Sequence, residues 1–176
     1  MLQLSAHVEL VVTPPRTGEL WRLKDLSLIN AFLGARRSLD RIRGASLCMS
    51  AMLKSQLPSK PSPDLFEVLR CHLVTIADAD AYSHICMQFL TKLLKHEGLL
   101  EVPLECSECR SLLQEASISK TGVLCRSCKE LGGTCLTQDE YTLLRAFFER
   151  RSLAPIEAPP LFLKKLEEIF TQKIEK

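Results

Sequence analysis

The sequence has no apolar run that approaches the roughly 18 residues with which a helix crosses a bilayer. Its opening residues, Met1 to His7, also lack the basic start and long apolar stretch of a secretory signal. We therefore expect the protein to stay in the cytosol, where reductants keep cysteines reduced. The eight cysteines are accordingly interpreted as thiols or metal ligands before disulfides.

The sequence also lacks the motifs of the common enzyme classes. There is no glycine-rich phosphate loop with its lysine, no Gly-x-Ser-x-Gly elbow and no His-Glu-x-x-His helix. The four histidines are scattered, and the carboxylates show no pairing typical of acid–base catalysis. We therefore predict that the protein is not an enzyme.

A strong charge of either sign is absent as well. The 23 basic and 21 acidic residues leave a net charge of +2, which neither predicts nor excludes an anionic partner. The length of 176 residues and the 46% of hydrophobic residues suit one buried core, with room for a small satellite module.

The chain opens with a segment of β character. The valine-rich residues His7 to Thr13 and the alternating residues Glu19 to Leu23 flank turn chemistry at Pro14-Pro15. We predict a short antiparallel pair, which needs further strands or a helix to pack on.

From Gly34 onward the hydrophobic period changes to that of helices. Leu39, Ile42, Met49 and Leu53 predict the buried stripe of the first helix. Two more helices follow, the first opening at Ser62-Pro63 and the second ending at Gly98; a capping box at Thr137 opens a fourth, and residues 161–176 form the last. The predicted fold is mainly α, a helical bundle with a cysteine module inserted at residues 104–135.

That module contains two Cys-x-x-Cys units, fifteen residues apart, made by Cys106 with Cys109 and Cys125 with Cys128. The interval matches zinc-site spacing, and two facing knuckles supply the tetrahedron of thiolates that zinc accepts. Four thiolates leave no open coordination position, so we predict structural Zn²⁺. Iron in the same tetrahedron, a redox-active pair of disulfides and coincidence remain open as alternatives. Cys135 follows closely enough to approach the metal, although a four-ligand site does not need it.

Arginines crowd the start of the first long helix, at positions Arg36, Arg37, Arg41 and Arg43. Guanidinium groups pair well with phosphate oxygens, so these four are candidate nucleic-acid contacts. A solvated helix face with Asp40 as its internal partner is the plainer interpretation of the same cluster.

The combined pattern resembles the RecO family of bacterial DNA repair proteins. Residues 89–99 carry the phrase Phe-Leu-x-x-Leu-Leu-x-x-x-Gly-Leu, closely followed by the two cysteine pairs and a helix. Upstream, residues 63–73 carry Pro-x-Leu-Phe-x-x-Leu-x-x-x-Leu, which is also typical of that family. The resemblance extends over nearly the whole chain, and the cysteine module is its sharpest motif.

The resemblance implies a non-enzymatic recombination mediator that binds single-stranded DNA, promotes strand annealing and works with RecR-like and single-strand-binding proteins in the bacterial cytosol. It also implies an N-terminal OB-fold before the helical domain. Because only about thirty residues precede the first helix, against roughly eighty for a five-stranded barrel, we expect residues 1–33 to be a partial OB-fold remnant, from a late start codon or a truncated gene. Residues 34–176 would form the helical domain. A zinc-stabilised protein–protein adaptor without nucleic-acid binding, and a thiol-based redox switch, are the alternative functions.

Overall fold

The computed structural model describes residues 6–18, 20–56, 61–79, 82–149, 158–159 and 161–174. Residues 1–5 and 19 of the predicted N-terminal segment lie outside this range, as do residues 175 and 176 of the last predicted helix. The described residues form five α-helices and two small sheets. None of these helices is long and apolar enough to cross a membrane.

The N-terminal ribbon pairs β1 (His7–Thr13) with β2 (Arg22–Asn30) in antiparallel register. The predicted pair is confirmed, but the second strand begins and ends later than the predicted Glu19 to Leu23. The alternation in the sequence continues through Leu26 and Leu28, and these residues pair with Leu10 and Val8 across the ribbon. A short 3₁₀ helix, Leu33–Arg36, then leads into the helices.

The helical body consists of α1 (Leu39–Ser55), α2 (Pro63–Asp78), α3 (Ser83–His96), α4 (Gln138–Glu149) and α5 (Phe162–Ile174). The centre is α3, because ten of its fourteen residues are buried and it contacts the other four helices. The largest fully buried side chains include Phe89, Phe147 and Phe162, from α3, α4 and α5. These helices share one hydrophobic core.

The buried face of α1 differs from the predicted one. Leu39 and Ile42 are 61% and 43% exposed, and Leu53 is 80% exposed, so the predicted stripe was wrong. The helix instead buries small residues, Gly44, Ala45, Cys48 and Ala51. Small side chains allow α2 and α3 to approach α1 closely, and periodicity alone did not distinguish this face from the leucine-bearing one.

Helix ends follow the predicted capping chemistry with one exception. Thr137 and Glu140 exchange hydrogen bonds as a capping box, with Thr137 N–H donating to Glu140 Oε2 at 2.8 Å. Gly98 adopts φ +64° after α3, the left-handed conformation that favours glycine. Pro63 begins α2 as expected, but the Ser62 side chain makes no capping hydrogen bond.

Candidate metal centre and basic surface

The first cysteine knuckle is a tight turn directly after residue 105. Cys106 N–H donates to the Ser111 carbonyl at 2.8 Å, and Arg110 N–H returns to the Cys106 carbonyl at 3.1 Å. Arg110 closes the turn in the left-handed region, at φ 61°. These bonds hold Cys106 and Cys109 on one side of the turn, as metal knuckles require.

The second knuckle follows a small hairpin. Strands β3 (Ala116–Ile118) and β4 (Val123–Leu124) pair antiparallel, and β5 (Thr134–Leu136) adds to the other edge of β3. Cys125 comes immediately after β4, and Cys128 N–H donates to its carbonyl at 3.2 Å. The knuckles are joined because Ser107 N–H donates to the Val123 carbonyl at 3.0 Å.

The four sulfurs of Cys106, Cys109, Cys125 and Cys128 converge. All of them lie within 4.8 Å of one another, and the Cys109–Cys125 Sγ–Sγ distance is 3.7 Å. A tetrahedron with zinc–sulfur bonds of about 2.3 Å has edges of about 3.8 Å. The sulfur positions therefore fit one tetrahedral metal ion, and the sequence prediction that these four residues share a site agrees with the geometry.

The electrostatics of the cluster also favour a central cation. Backbone hydrogen bonding, chiefly from Cys128, lowers the pKa of the Cys125 thiol to about 6, and backbone hydrogen bonds around Cys109 lower that of Cys106. The thiols of Cys109 and Cys125, by contrast, raise the pKa of Cys128 to about 12. Crowded thiolates cannot all ionise beside one another without a compensating positive charge. A metal ion bound between the four sulfurs would supply that charge.

Exposure differs around the cluster, since Cys106 is buried and Cys109 is exposed. Cys125 N–H donates to Cys106 Sγ at 3.3 Å, a further bond that orients the buried sulfur. Cys135 is exposed and does not belong to the four-sulfur group found among the described residues. Arg126, which the sequence places beside the ligands, is 82% exposed and lies 3.8 Å from Glu115.

The cysteine module is fastened to the last helix by polar contacts. Gln172 Nε2 donates to the Gly132 carbonyl at 3.0 Å and to Thr134 Oγ1 at 3.2 Å. Lys173 Nζ donates to the Lys120 carbonyl at 3.4 Å, near the tip of the β3–β4 hairpin. Sequence reasoning missed this link, because a glutamine or lysine on an amphipathic helix carries no signal of its distant partner.

The four arginines of the predicted basic cluster divide between two environments. Arg41 is half-buried, and its Nη1 donates to the Ala77 carbonyl at 2.7 Å and to the Gly34 carbonyl at 3.4 Å. The Ala77 carbonyl belongs to the last turn of α2, where a cation interacts favourably with the helix dipole. Arg41 thus fastens the start of α1 to the end of α2.

Of the other three arginines, two are exposed and one is half-buried. Arg37 is exposed just after the 3₁₀ helix, and Arg36 is half-buried at its end. Arg43 is exposed and lies 3.6 Å from Asp40 in an i,i+3 pair. A pair with both side chains more than 60% exposed contributes little to stability, so its arginine can exchange partners.

Comparison with known proteins places these features in one family. A family model described as "Recombination protein O C terminal" matches residues 36–175. A protein of Chlamydia muridarum named DNA repair protein RecO is 25% identical over 165 residues, which span 90% of this chain and 69% of the relative. A protein of the same name from Chlamydia trachomatis is 28% identical over 70% of this chain and 52% of the relative. One from Syntrophus aciditrophicus is 31% identical over 60% of this chain and 43% of the relative.

The chain therefore covers between about two fifths and two thirds of the length of these relatives. The family match includes the entire helical body and the cysteine module. The ribbon of β1 and β2 lies before the matched residues, so its assignment to an OB-fold stays a prediction.

Proposed function

Because this chain belongs to the RecO C-terminal family, we propose that it acts in DNA repair as a non-catalytic recombination mediator. The observation that carries this proposal is the family match over residues 36–175. Relatives that carry the name DNA repair protein RecO support it over up to 90% of this chain.

The cysteine module takes a structural Zn²⁺ in this proposal. Four thiolates complete a tetrahedral shell, which leaves no position for water or substrate, so the ion has no hydrolytic role. Cys106, Cys109, Cys125 and Cys128 would hold the ion, and their spacing of at most 4.8 Å supports this assignment. The metal then keeps a module with little core of its own attached to α5.

The proposed DNA contacts are the exposed arginines at the start of α1. Arg37 and Arg43 present exposed guanidinium groups near the N-terminus of α1, and guanidinium groups pair well with phosphate oxygens. Arg36 lies beside them. Arg41 supports the site indirectly, because its bond to the Ala77 carbonyl holds the start of α1 against the end of α2. Phosphate contacts of this type bind single strands without sequence preference.

We infer the partners and the cellular location from the family, as part of the same proposal. A mediator of this kind works with a RecR-like protein and a single-strand-binding protein in the bacterial cytosol, and promotes annealing of complementary strands. The exposed leucines of α1 offer a surface for such a protein partner.

The test is binding of fluorescently labelled oligothymidylate across a salt series, together with annealing of complementary strands. Arg37→Glu with Arg43→Glu is expected to weaken binding at least tenfold at low salt, because phosphate contacts are replaced by repulsion. Lys54→Glu with Lys164→Glu is the matched control, since it changes net charge equally at exposed positions on α1 and α5. Equal affinity of the two double variants would contradict the proposed contacts, and no binding by the unaltered chain would contradict DNA binding.

A second candidate function is a zinc-stabilised protein–protein adaptor without nucleic-acid binding. It is favoured by one observation, the exposure of Leu39, Ile42 and Leu53 along α1. A variant with Leu39→Ser and Leu53→Ser should then no longer bind the protein partner. The variants at Arg37 and Arg43 should still bind it. Weakened DNA binding in the arginine variants would instead favour the mediator.

A further inference from the structure

Ser111 contacts the four-sulfur group without belonging to it. Its Oγ lies 3.1 Å from Cys109 Sγ, and its side chain is within hydrogen-bonding reach of Cys125. The Cys109 and Cys125 sulfurs come from different knuckles and lie 3.7 Å apart. One hydroxyl therefore lies beside sulfurs of both knuckles, and the zinc assignment above gives it no role.

The backbone of the first knuckle holds Ser111 in this position. Its carbonyl accepts the Cys106 N–H at 2.8 Å, and Arg110 N–H donates to the Cys106 carbonyl at 3.1 Å. Arg110 adopts φ 61°, a left-handed conformation that a residue other than glycine keeps only where the surrounding structure requires it. This conformation turns the chain after Cys109, so that the Ser111 hydroxyl returns to the Cys109 sulfur.

Hydrogen bonds to sulfur stabilise a cluster of thiolates. Four thiolates around one divalent ion leave a net negative charge, and donors to the ligands spread this charge and orient the ligands. The buried sulfur of Cys106 has a backbone donor, the Cys125 N–H at 3.3 Å. The sulfur of the exposed Cys109 has the Ser111 hydroxyl. A metal-bound sulfur carries no proton, so in the loaded site the hydroxyl donates and the sulfur accepts.

The exposed ligand is also the one through which the ion can leave. Cys109 is exposed, whereas Cys106 is buried and Cys125 and Cys128 are half-buried. Water or a chelator therefore reaches the bond between Cys109 and the metal first. We propose that Ser111 is a positioning residue of the metal centre, whose hydroxyl holds the Cys109 thiolate in place and slows the release of zinc. This role rests on the proposed structural zinc and adds a residue to that site.

Three serine variants of the intact chain test this role. Ser111→Ala removes the hydroxyl, and Ser111→Thr keeps a hydroxyl at the same position. Ser127→Ala is the matched control, because Ser127 is an exposed serine between the two ligands of the second knuckle. Each purified protein is loaded with Zn²⁺, and a chromogenic chelator then measures the affinity for zinc and the rate of its release.

Ser111→Ala is expected to bind zinc at least about tenfold more weakly and to release it faster, because groups that orient metal ligands contribute roughly 10- to 100-fold in affinity. Ser111→Thr and Ser127→Ala should match the unaltered chain. With Co²⁺ in the site, Ser111→Ala should move the sulfur-to-cobalt charge-transfer band to longer wavelength, because a sulfur without its donor gives up electron density more readily. The ligand-field bands should stay tetrahedral, which distinguishes a lost hydrogen bond from a disrupted knuckle.

Two outcomes overturn the inference while the proposed zinc site stands. In one, Ser111→Ala matches Ser127→Ala in zinc affinity, in release rate and in the cobalt spectrum. In the other, Ser111→Thr loses as much affinity as Ser111→Ala, so that the hydroxyl is not what matters at this position. An unaltered chain that binds no zinc overturns both the role of Ser111 and the zinc site. The oligothymidylate titration tests DNA binding independently of these variants.

Discussion

Lys165 on α5 donates a hydrogen bond to Glu140 on α4, with 2.6 Å between Nζ and Oε2. Glu140 is only 5% exposed, and the same carboxylate accepts the Thr137 N–H of the capping box. Burial alone raises the pKa of Glu140, but the bonds from Lys165 and Thr137 outweigh it and the pKa lies below its ordinary value. One carboxylate thus caps α4 and joins it to α5.

Replacing the cation of this pair is expected to destabilise the protein. Lys165→Met leaves a carboxylate with little solvent access and without its cation, which costs about 2 kcal/mol of unfolding free energy. Lys164→Met is the matched control, because Lys164 is its exposed neighbour and should change stability by less than about 0.5 kcal/mol. Urea unfolding of both variants measures the difference, and equal midpoints would show that the pair contributes nothing.

The arginines near α1 should separate into stabilising and DNA-contacting residues. Arg41→Gln removes the bonds to the Ala77 and Gly34 carbonyls and is expected to lower unfolding free energy by about 1–2 kcal/mol. Arg37→Gln should leave stability within about 0.5 kcal/mol, because the side chain is exposed. Thermal unfolding with parallel DNA titration distinguishes the two, and a stability loss at Arg37 equal to that at Arg41 would refute the division.

Close packing around Arg41 makes Gly34 intolerant of a side chain. A Cβ at this position would overlap the backbone carbonyl of Ala77. We expect Gly34→Ala to cost about 1–3 kcal/mol through forced backbone movement. Gly18→Ala is no suitable control because Gly18 has φ +84°; Ser46→Ala, exposed on α1, serves instead. Unfolding curves in denaturant would contradict the expectation if Gly34→Ala matched Ser46→Ala.

His72 makes stability depend on pH. It is 1% exposed, its Nδ1 lies 2.6 Å from the Val68 carbonyl, and burial lowers its pKa from 6.5 to about 4. His72 therefore binds its proton at a higher pH in the unfolded chain than in the folded chain. The contribution of His72 to the free energy of unfolding is fully present above pH 6.5. It decreases by up to about 1.4 kcal/mol per pH unit as the pH falls toward 4.

The measurement is the unfolding free energy of the unaltered protein and of His72→Phe at several pH values. The variant removes the titrating ring while it keeps an aromatic group beside Phe89, whose ring centroid lies 5.4 Å away. Subtracting one unfolding free energy from the other removes the effects of acid on the four cysteines, which both proteins share. The unfolding free energy of the unaltered protein minus that of the variant should decrease as the pH falls from 6.5 to about 4. A difference that does not change with pH would refute the role of His72.

How far the sequence predicted this fold depended on whether the signal was local. The capping box at Thr137, the glycine end of α3 and the Cys-x-x-Cys spacing are local patterns, and each appears in the structure as predicted. The buried face of α1 was mistaken because packing among three helices, and not hydrophobicity within one, selects Ala45 and Cys48 over the leucines.

The same limit applies to the candidate site. Spacing sufficed to group the four cysteines, because the two short motifs bring their sulfurs within 4.8 Å of one another. The roles of Arg41 and Gln172 depend on residues 36 and 40 positions away, which no local pattern reports.

Native mass spectrometry of the intact chain tests the metal centre most directly. We expect one zinc ion per chain, retained in Cys135→Ser and lost in Cys109→Ser, because Cys109 Sγ belongs to the four-sulfur group and Cys135 Sγ does not. The metal-free protein should unfold at a lower denaturant concentration, by a free energy on the order of several kcal/mol. A Cys109→Ser protein that keeps one tightly bound zinc, or a metal-free chain of unchanged stability, would contradict the account.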